Sequence, residues 1–190
     1  MALVALRCLI AVLLVIDALD GKTGLWFVIG FAIAGISDML DGMVARRYKV
    51  VSTIGSAMDG YADAFLYTCI VFCIWRVHPE IIKSFFIPVL TIGATQVISW
   101  LISLFKYSKI TSYHTFGAKV WAVTLFVATF SIFAFNYAGV FLWIAIIVGV
   151  ASNIEDMMIT LVTPYWAHDV SSIRGAFKLR EEHKLKIKKL

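Results

Sequence analysis

Residues 117–162 read GAKVWAVTLFVATFSIFAFNYAGVFLWIAIIVGVASNIEDMMITLV. Two mostly apolar runs, separated around Asn136 and Tyr137, are each about 20 residues long, the length a helix rising about 1.5 Å per residue needs to cross a hydrocarbon core of about 30 Å. Working outward in blocks of that size, the sequence predicts six spans, over residues 3–19, 24–44, 54–75, 85–104, 117–135 and 139–162, with Pro164 ending the last. Composition agrees: of 190 residues 61% are hydrophobic and 15% charged, and the mean hydropathy is +0.89. Soluble domains carry about 45–50% apolar and about 25% charged residues, so an ordinary soluble domain is excluded. Long uninterrupted apolar blocks exclude disorder. The predicted fold class is an all-α integral membrane protein.

Charge then sets direction. The formal net charge is +5, but the Lys and Arg lie between apolar blocks and in the tail, which fits membrane topology, so no nucleic-acid partner is expected. Of the 17 Lys and Arg, those at 46, 47 and 49, at 106, 109 and 119, and at 174, 178, 180, 184, 186, 188 and 189 fall on one side, with Arg7 near the N-terminus. Lys22, Arg76 and Lys83 fall on the other. Cytoplasmic loops keep the excess of positive charge, which predicts a multi-pass protein of the cell membrane with both termini in the cytoplasm. Residues 1–165 form the six-span domain. Residues 166–190 form a basic tail in which Ile173, Phe177 and Leu179 are interspersed with cations, as in an interfacial helix on anionic lipid. Cys8, Cys69 and Cys73 sit in apolar runs, where a thiol acts as a small hydrophobe, and neither a disulfide framework nor a metal site is expected of them.

A carboxylate at membrane depth costs about 2.5–3.5 kcal/mol on insertion scales, so each one needs a reason. Asp38 and Asp41 lie at the end of the second span, Asp59 and Asp63 at the start of the third. Spacings of three and four put both members of each pair on one helix face, and the cytoplasmic connection lets the pairs converge. Like charges so close repel unless a cation sits among them. With oxygen donors only, and no His or Cys between residues 38 and 63, a hard divalent ion such as Mg²⁺ fits better than zinc or copper. The alternative is that the acids cap helices or pair with Arg46 and Arg47. Gly42, Ala45 and Gly55 remove bulk beside the acids, so a large ligand can approach the backbone, and Arg46 offers a planar fork suited to a diphosphate. The six helices are therefore expected to enclose a polar active-site cavity open to the cytoplasmic side.

The run Asp38-x2-Asp41-Gly42-x2-Ala45-Arg46-x8-Gly55-x3-Asp59-x3-Asp63 resembles, at every fixed position, the signature of the CDP-alcohol phosphotransferase (CDP-alcohol phosphatidyltransferase) family, class I. The resemblance implies an integral membrane enzyme that moves a substituted phosphate from CDP-diacylglycerol or a related CDP-alcohol to a small alcohol acceptor and releases CMP. It implies two divalent ions, Mg²⁺ or Mn²⁺, held by Asp38, Asp41, Asp59 and Asp63. Asp63 would be the general base, and Gly42, Ala45, Arg46 and Gly55 would lie along the CDP moiety. A homodimer is expected on the same ground.

The acceptor is less legible. Members that make phosphatidylglycerol phosphate or phosphatidylinositol phosphate carry Lys or Arg directly after the fourth Asp, whereas this chain has Ala64. Members often carry an Arg in the first span, a position that Arg7 matches. Lys119, after Gly117, resembles a Gly-x-Lys region that faces the acceptor in several members, and the segment from Lys106 to Lys119 is read as a loop offering cations to a phosphorylated acceptor. Lys119 snorkelling at the interface is the alternative. Glu155 and Asp156, about two turns inside the last span, and His114, in the loop, complete the acceptor candidates. Pairing of Glu155 and Asp156 with Lys119 or Arg174, and a surface role for His114, stay open. Two other functions use the same acids: a cation or proton transporter, or a catalytically silent CDP-binding homologue. The sequence shows no inverted repeat, and the motif acids lie at one membrane face, which speaks against transport.

Overall fold

The computed structural model describes residues 2–48, 53–109, 111, 113, 115–166, 170 and 172–187, with the side chains of residues 2–4, 38–61, 64, 186 and 187 outside that description. Among the described residues there are eight helices and no strand: α1 (Ala2–Ala18), α2 (Leu25–Tyr48), α3 (Thr53–Val77), α4 (Pro79–Ser84), α5 (Phe86–Tyr107), α6 (Phe116–Phe135), α7 (Gly139–Val162) and α8 (Ile173–Ile187). Three are long and apolar enough to cross a bilayer: α5, α6 and α7. Shorter apolar stretches, Leu25–Ser37 and Phe65–Val77, lie within α2 and α3. The sequence places the acidic motif on the remaining turns of these two helices, which lowers their hydropathy. Helix α7 has the bounds expected from the sequence. Helix α4 was not anticipated: Pro79 stands at its first turn, where a missing N–H costs nothing, with Glu80 at its N-terminal and Lys83 at its C-terminal end.

The chain divides into two compact units. Unit one, Met1–Phe85 with Thr129–Ala138, is built on α1, which packs against α2 and α3. Helical periodicity brings Ala11, Leu14 and Ala18 of α1 into its core with Phe27, Phe31 and Ala34 of α2 and Leu66, Ile70 and Cys73 of α3. Small residues let α1 and α2 approach closely; a Cβ on Gly30 would stand 3.3 Å from Leu14 Cδ2. Cys73 Sγ donates to Leu14 O at 3.7 Å and Arg76 Nη2 to Leu19 O at 3.1 Å. Partners advance in the same direction along both helices, so α1 and α3 run parallel and α2 returns between them. Within this unit α6 ends at Asn136, whose φ of 51° is the left-handed stop that Asn tolerates. Tyr137 N–H then donates to Ser131 O at 3.2 Å and Ser131 Oγ donates to Tyr137 O at 2.9 Å.

Unit two, Phe86–Ala128 with Gly139–Leu190, is built on α5 and α7, with α8 packed on α7. Helix α5 is inside out by the standard of a soluble protein. Its buried residues are Ser99 and Ser103, while Ile87, Leu90 and Phe105 are exposed. Such a surface is stable against lipid, where apolar side chains face outward and small polar ones make helix contacts. Asn153 Nδ2 on α7 donates to Ile92 O at 3.1 Å and to Thr95 Oγ1 at 2.9 Å on α5. Lys106 Nζ donates to Thr160 O, Leu161 O and Thr163 O at 2.8 Å each, and Tyr107 Oη donates to Thr160 O and Thr163 O at 2.8 and 2.7 Å. These pairings also advance together, so α5 and α7 are parallel. Lys106 thus belongs to the last turn of α5 and caps α7; it is not a loop cation offered to a ligand. The reason is electrostatic, because the final carbonyls of a helix lack intrahelical partners and carry its negative pole. Beneath them Tyr113, Ile159, Val170 and Ala176 form a small core that seats α8.

The substitution Lys106→Met keeps the aliphatic stem and removes the cap. It should lower unfolding stability by about 1.5–3 kcal/mol, the range for charge-assisted hydrogen bonds, read as a lower melting midpoint in detergent.

Candidate functional site

In unit one, the stripe of α1 that buries Ala11, Leu14 and Ala18 continues one turn back to Arg7, whose residue exposure is 1%. Its Nη1 donates to Asp63 Oδ1 at 2.5 Å in an ion pair. The two ends of this pair differ: the Arg7 side chain is fully enclosed, whereas that of Asp63 is 39% exposed. Asp63 continues the α3 stripe of Leu66 and Ile70, with Ala62 buried beside it, so the packing that forms the α1–α3 contact also brings its carboxylate to the guanidinium. The pair satisfies a charge that would otherwise be stranded in an apolar interior. Counting charges by loop gave Arg7 a place in the topology but not its partner, the motif residue Asp63. A cation in the buried stripe of an apolar helix requires a partner, and that was the available signal.

Helix α2 carries positions 38, 41, 42, 45 and 46, and α3 carries 55, 59 and 63. The side chains of Asp38, Asp41, Gly42, Ala45, Arg46, Gly55 and Asp59 lie outside the described residues. Among the described residues no three metal-ligating side chains cluster. The donor chemistry nonetheless suits a hard ion: the motif offers carboxylate oxygens alone, and the described carboxylate, Asp63, retains exposure.

Unit two holds the acceptor candidates. Thr115 caps α6, its Oγ1 accepting from Ala118 N–H at 3.1 Å. Glu155 of α7 lies against this first turn, its Oε2 2.6 Å from where a Cβ on Gly117 would stand, with Ser152 Oγ at 3.6 Å from the same point. Gly117 is therefore needed for the close approach, and a carboxylate near a helix N-terminus is electrostatically favourable. Asp156 Oδ1 is buried without a hydrogen-bond partner among the described residues, while its carbonyl accepts from Thr160 Oγ1 at 2.9 Å. Lys119 is exposed. Neither acid forms an ion pair with Lys119 or Arg174 among the described residues, so simple pairing does not account for them. His114 lies outside the described residues. One turn further along α6, Trp121 packs on α7, where a Cβ on Gly149 would stand 2.5 Å from its Nε1.

The model of the CDP-alcohol phosphatidyltransferase family matches residues 1–151. The chain is 30% identical over 88 residues, 45% of this chain and 14% of the other, to a cardiolipin synthase (CMP-forming) / mitochondrial hydrolase fusion protein of Schizosaccharomyces pombe. It is 39% identical over 41 residues, 22% of this chain and 23% of the other, to a CDP-diacylglycerol–glycerol-3-phosphate 3-phosphatidyltransferase of Rickettsia bellii. A cardiolipin synthase (CMP-forming) of Streptomyces coelicolor is 36% identical over 52 residues, 27% of this chain and 24% of the other. The matched stretches thus span less than a quarter of the length of these relatives. No solved structure matches significantly.

The two glycines of α6 and α7 separate by what they face. Gly117→Ala displaces only the end of a flexible glutamate, whereas Gly149→Ala drives a methyl into a rigid indole. Gly149→Ala should lower the melting midpoint more, by the equivalent of about 1–3 kcal/mol for overpacking; equal midpoints for the two variants would contradict this geometry.

Proposed function

Since the chain belongs to the CDP-alcohol phosphatidyltransferase family, we propose that it transfers a phosphatidyl group from CDP-diacylglycerol, or a related CDP-alcohol, to an alcohol acceptor and releases CMP. The observation that carries this reading is the complete acidic motif, Asp38 to Asp63, on two successive helices inside the matched region. The name of the Rickettsia bellii relative favours CDP-diacylglycerol as donor and a glycerol phosphate as acceptor, although Ala64 stands where members that make phosphatidylglycerol phosphate carry Lys or Arg.

Each residue has a task in that reaction. Arg46 binds the diphosphate through its fork, and Gly42, Ala45 and Gly55 leave room for the nucleotide beside the backbone. Asp63 takes the proton of the acceptor hydroxyl as its oxygen attacks the phosphorus that carries diacylglycerol; the bond from that phosphorus to the bridging oxygen breaks, and CMP departs with the electron pair. Asp38, Asp41, Asp59 and Asp63 would hold two divalent ions, Mg²⁺ or Mn²⁺, which when bound offset the charge gathering on the leaving phosphate. Lys119, Glu155, Asp156 and His114 are the acceptor-side candidates, with the lysine suited to a phosphate and the acids to hydroxyls. Helices exclude bulk water around the reacting groups, which limits hydrolysis of the donor.

The wider arrangement we propose has six spans, α1, α2, α3, α5, α6 and α7, over residues 1–165. The parallel pairs α1–α3 and α5–α7 support it, since each requires the intervening helix to return. The excess of Lys and Arg on one side supports cytoplasmic termini and a cytoplasmic mouth to the cavity. In the tail, residues 166–190, α8 exposes Arg174, Lys178, Arg180 and Lys184 together with Phe177 and Leu185, a pattern suited to an anionic interface. The protein is proposed to act as a homodimer.

Purified protein given CDP-diacylglycerol, Mg²⁺ or Mn²⁺ and a panel of glycerol phosphates and polyols should release CMP. Asp63→Asn should cut turnover by about 10²-fold or more, the worth of a general base, and chelation by EDTA should abolish turnover until the ion is returned. Absence of CMP release with every acceptor, or full activity in Asp63→Asn, would overturn the assignment. Single cysteines introduced at Ser172 and Ser108 should react with an impermeant thiol reagent only from the cytoplasmic side, and one at Gly24 only from the opposite side.

A further inference from the structure

Arg7 meets the acidic motif at Asp63, and an enclosed guanidinium aimed at a partly exposed motif carboxylate asks for an explanation beyond charge neutrality. We infer that Arg7 is a positioning residue: from the buried stripe of α1 it fixes the carboxylate of Asp63 on α3, so that the oxygens the reaction uses stand in one place. The inference rests on the transferase reading for the role of Asp63.

Three observations carry it. The guanidinium is fully enclosed while the carboxylate is 39% exposed, so the pair has one anchored end and one working end. The anchor is rigid, because Arg7 shares its face with Ala11, Leu14 and Ala18, all of them packed in the core of the unit. Two further contacts register the same helices downstream, from Cys73 to Leu14 O and from Arg76 to Leu19 O, so that α1 cannot slide along α3 without breaking all three. Guanidinium does not lose its proton in proteins, and its planar fork constrains a carboxylate in direction as well as distance, which an ammonium does not. Catalytic groups need placement to within about 0.5 Å, and that precision comes from neighbours that are themselves immobile. Arg7 reaches no substrate in this account; it acts through Asp63.

Wild type, Arg7→Lys and Arg7→Gln, each purified as folded protein in detergent, separate this role from simple burial of a counter-charge. The measurements are kcat and KM for CMP release from CDP-diacylglycerol, Mn²⁺ affinity by electron paramagnetic resonance without substrate, and the melting midpoint. Arg7→Gln should lose about tenfold or more in kcat with KM for the donor nearly unchanged, as removal of transition-state organisation does, and should bind Mn²⁺ more weakly. Arg7→Lys, which keeps the charge and loses the fork, should fall between the two. Wild-type kcat and Mn²⁺ affinity in folded Arg7→Gln would overturn the inference. So would equal losses in both variants accompanied by equal falls in melting midpoint, because that marks a structural counter-ion alone. If Arg7→Gln does not fold, Arg7→Lys decides: lowered kcat at an unchanged midpoint supports the role, and unchanged kcat refutes it. A wild type that releases no CMP sinks the transferase reading, and the Mn²⁺ comparison then still reads the pair without turnover.

Discussion

Hydrocarbon offers no hydrogen bonds and little screening, and this constraint governs every polar group in the protein. Backbone amides must be satisfied within helices, and most buried side chains that carry charge or dipoles find partners inside the chain, Asp156 Oδ1 being an exception. The consequences recur at each helix contact. Asn153 reaches the Ile92 carbonyl and Thr95 hydroxyl of α5, and Lys106 with Tyr107 gathers the last carbonyls of α7. Large apolar side chains, such as Phe105 and Ile87, are left on the outside, where lipid receives them at no cost.

The same constraint turns Arg7 and Asp63 into an organising contact. The enclosed guanidinium is not tolerable alone, and paired with Asp63 it joins α1 to α3 at the end where the acidic motif stands. The contacts from Cys73 and Arg76 fasten the two helices further along. The result is a parallel pair of helices locked at successive turns, with the guanidinium placing a permanent positive charge beside Asp63.

Unit two solves a different problem. Gly117 and Gly149 let α6 approach α7 closely enough for Glu155 to sit at the capped N-terminus of α6 and for Trp121 to pack on α7. Neither Glu155 nor Asp156 pairs with Lys119 or Arg174 among the described residues. The small core of Tyr113, Ile159, Val170 and Ala176 holds α8 against α7, so the basic tail is attached to the membrane-spanning part by packing as well as by the chain.

Sequence by itself determined the helical class, because hydropathy is a sum over neighbouring residues and lipid imposes one length on every crossing. It also placed Asp38 with Asp41, and Asp59 with Asp63, on shared helix faces, since spacing along a helix specifies which positions share a face whatever packs against them. The bounds of α7 were legible for the same reason, a continuous apolar run closed near Pro164. Only the tertiary structure decided what each buried charge meets. Arg7 read as a topology charge and Lys106 as a loop cation, yet one is paired with Asp63 and the other caps α7. Pairing across helices depends on which faces pack and in what register, and that information is distributed over residues far apart in the chain, such as Arg7 with Asp63 or Lys106 with Thr160, so no local window contains it.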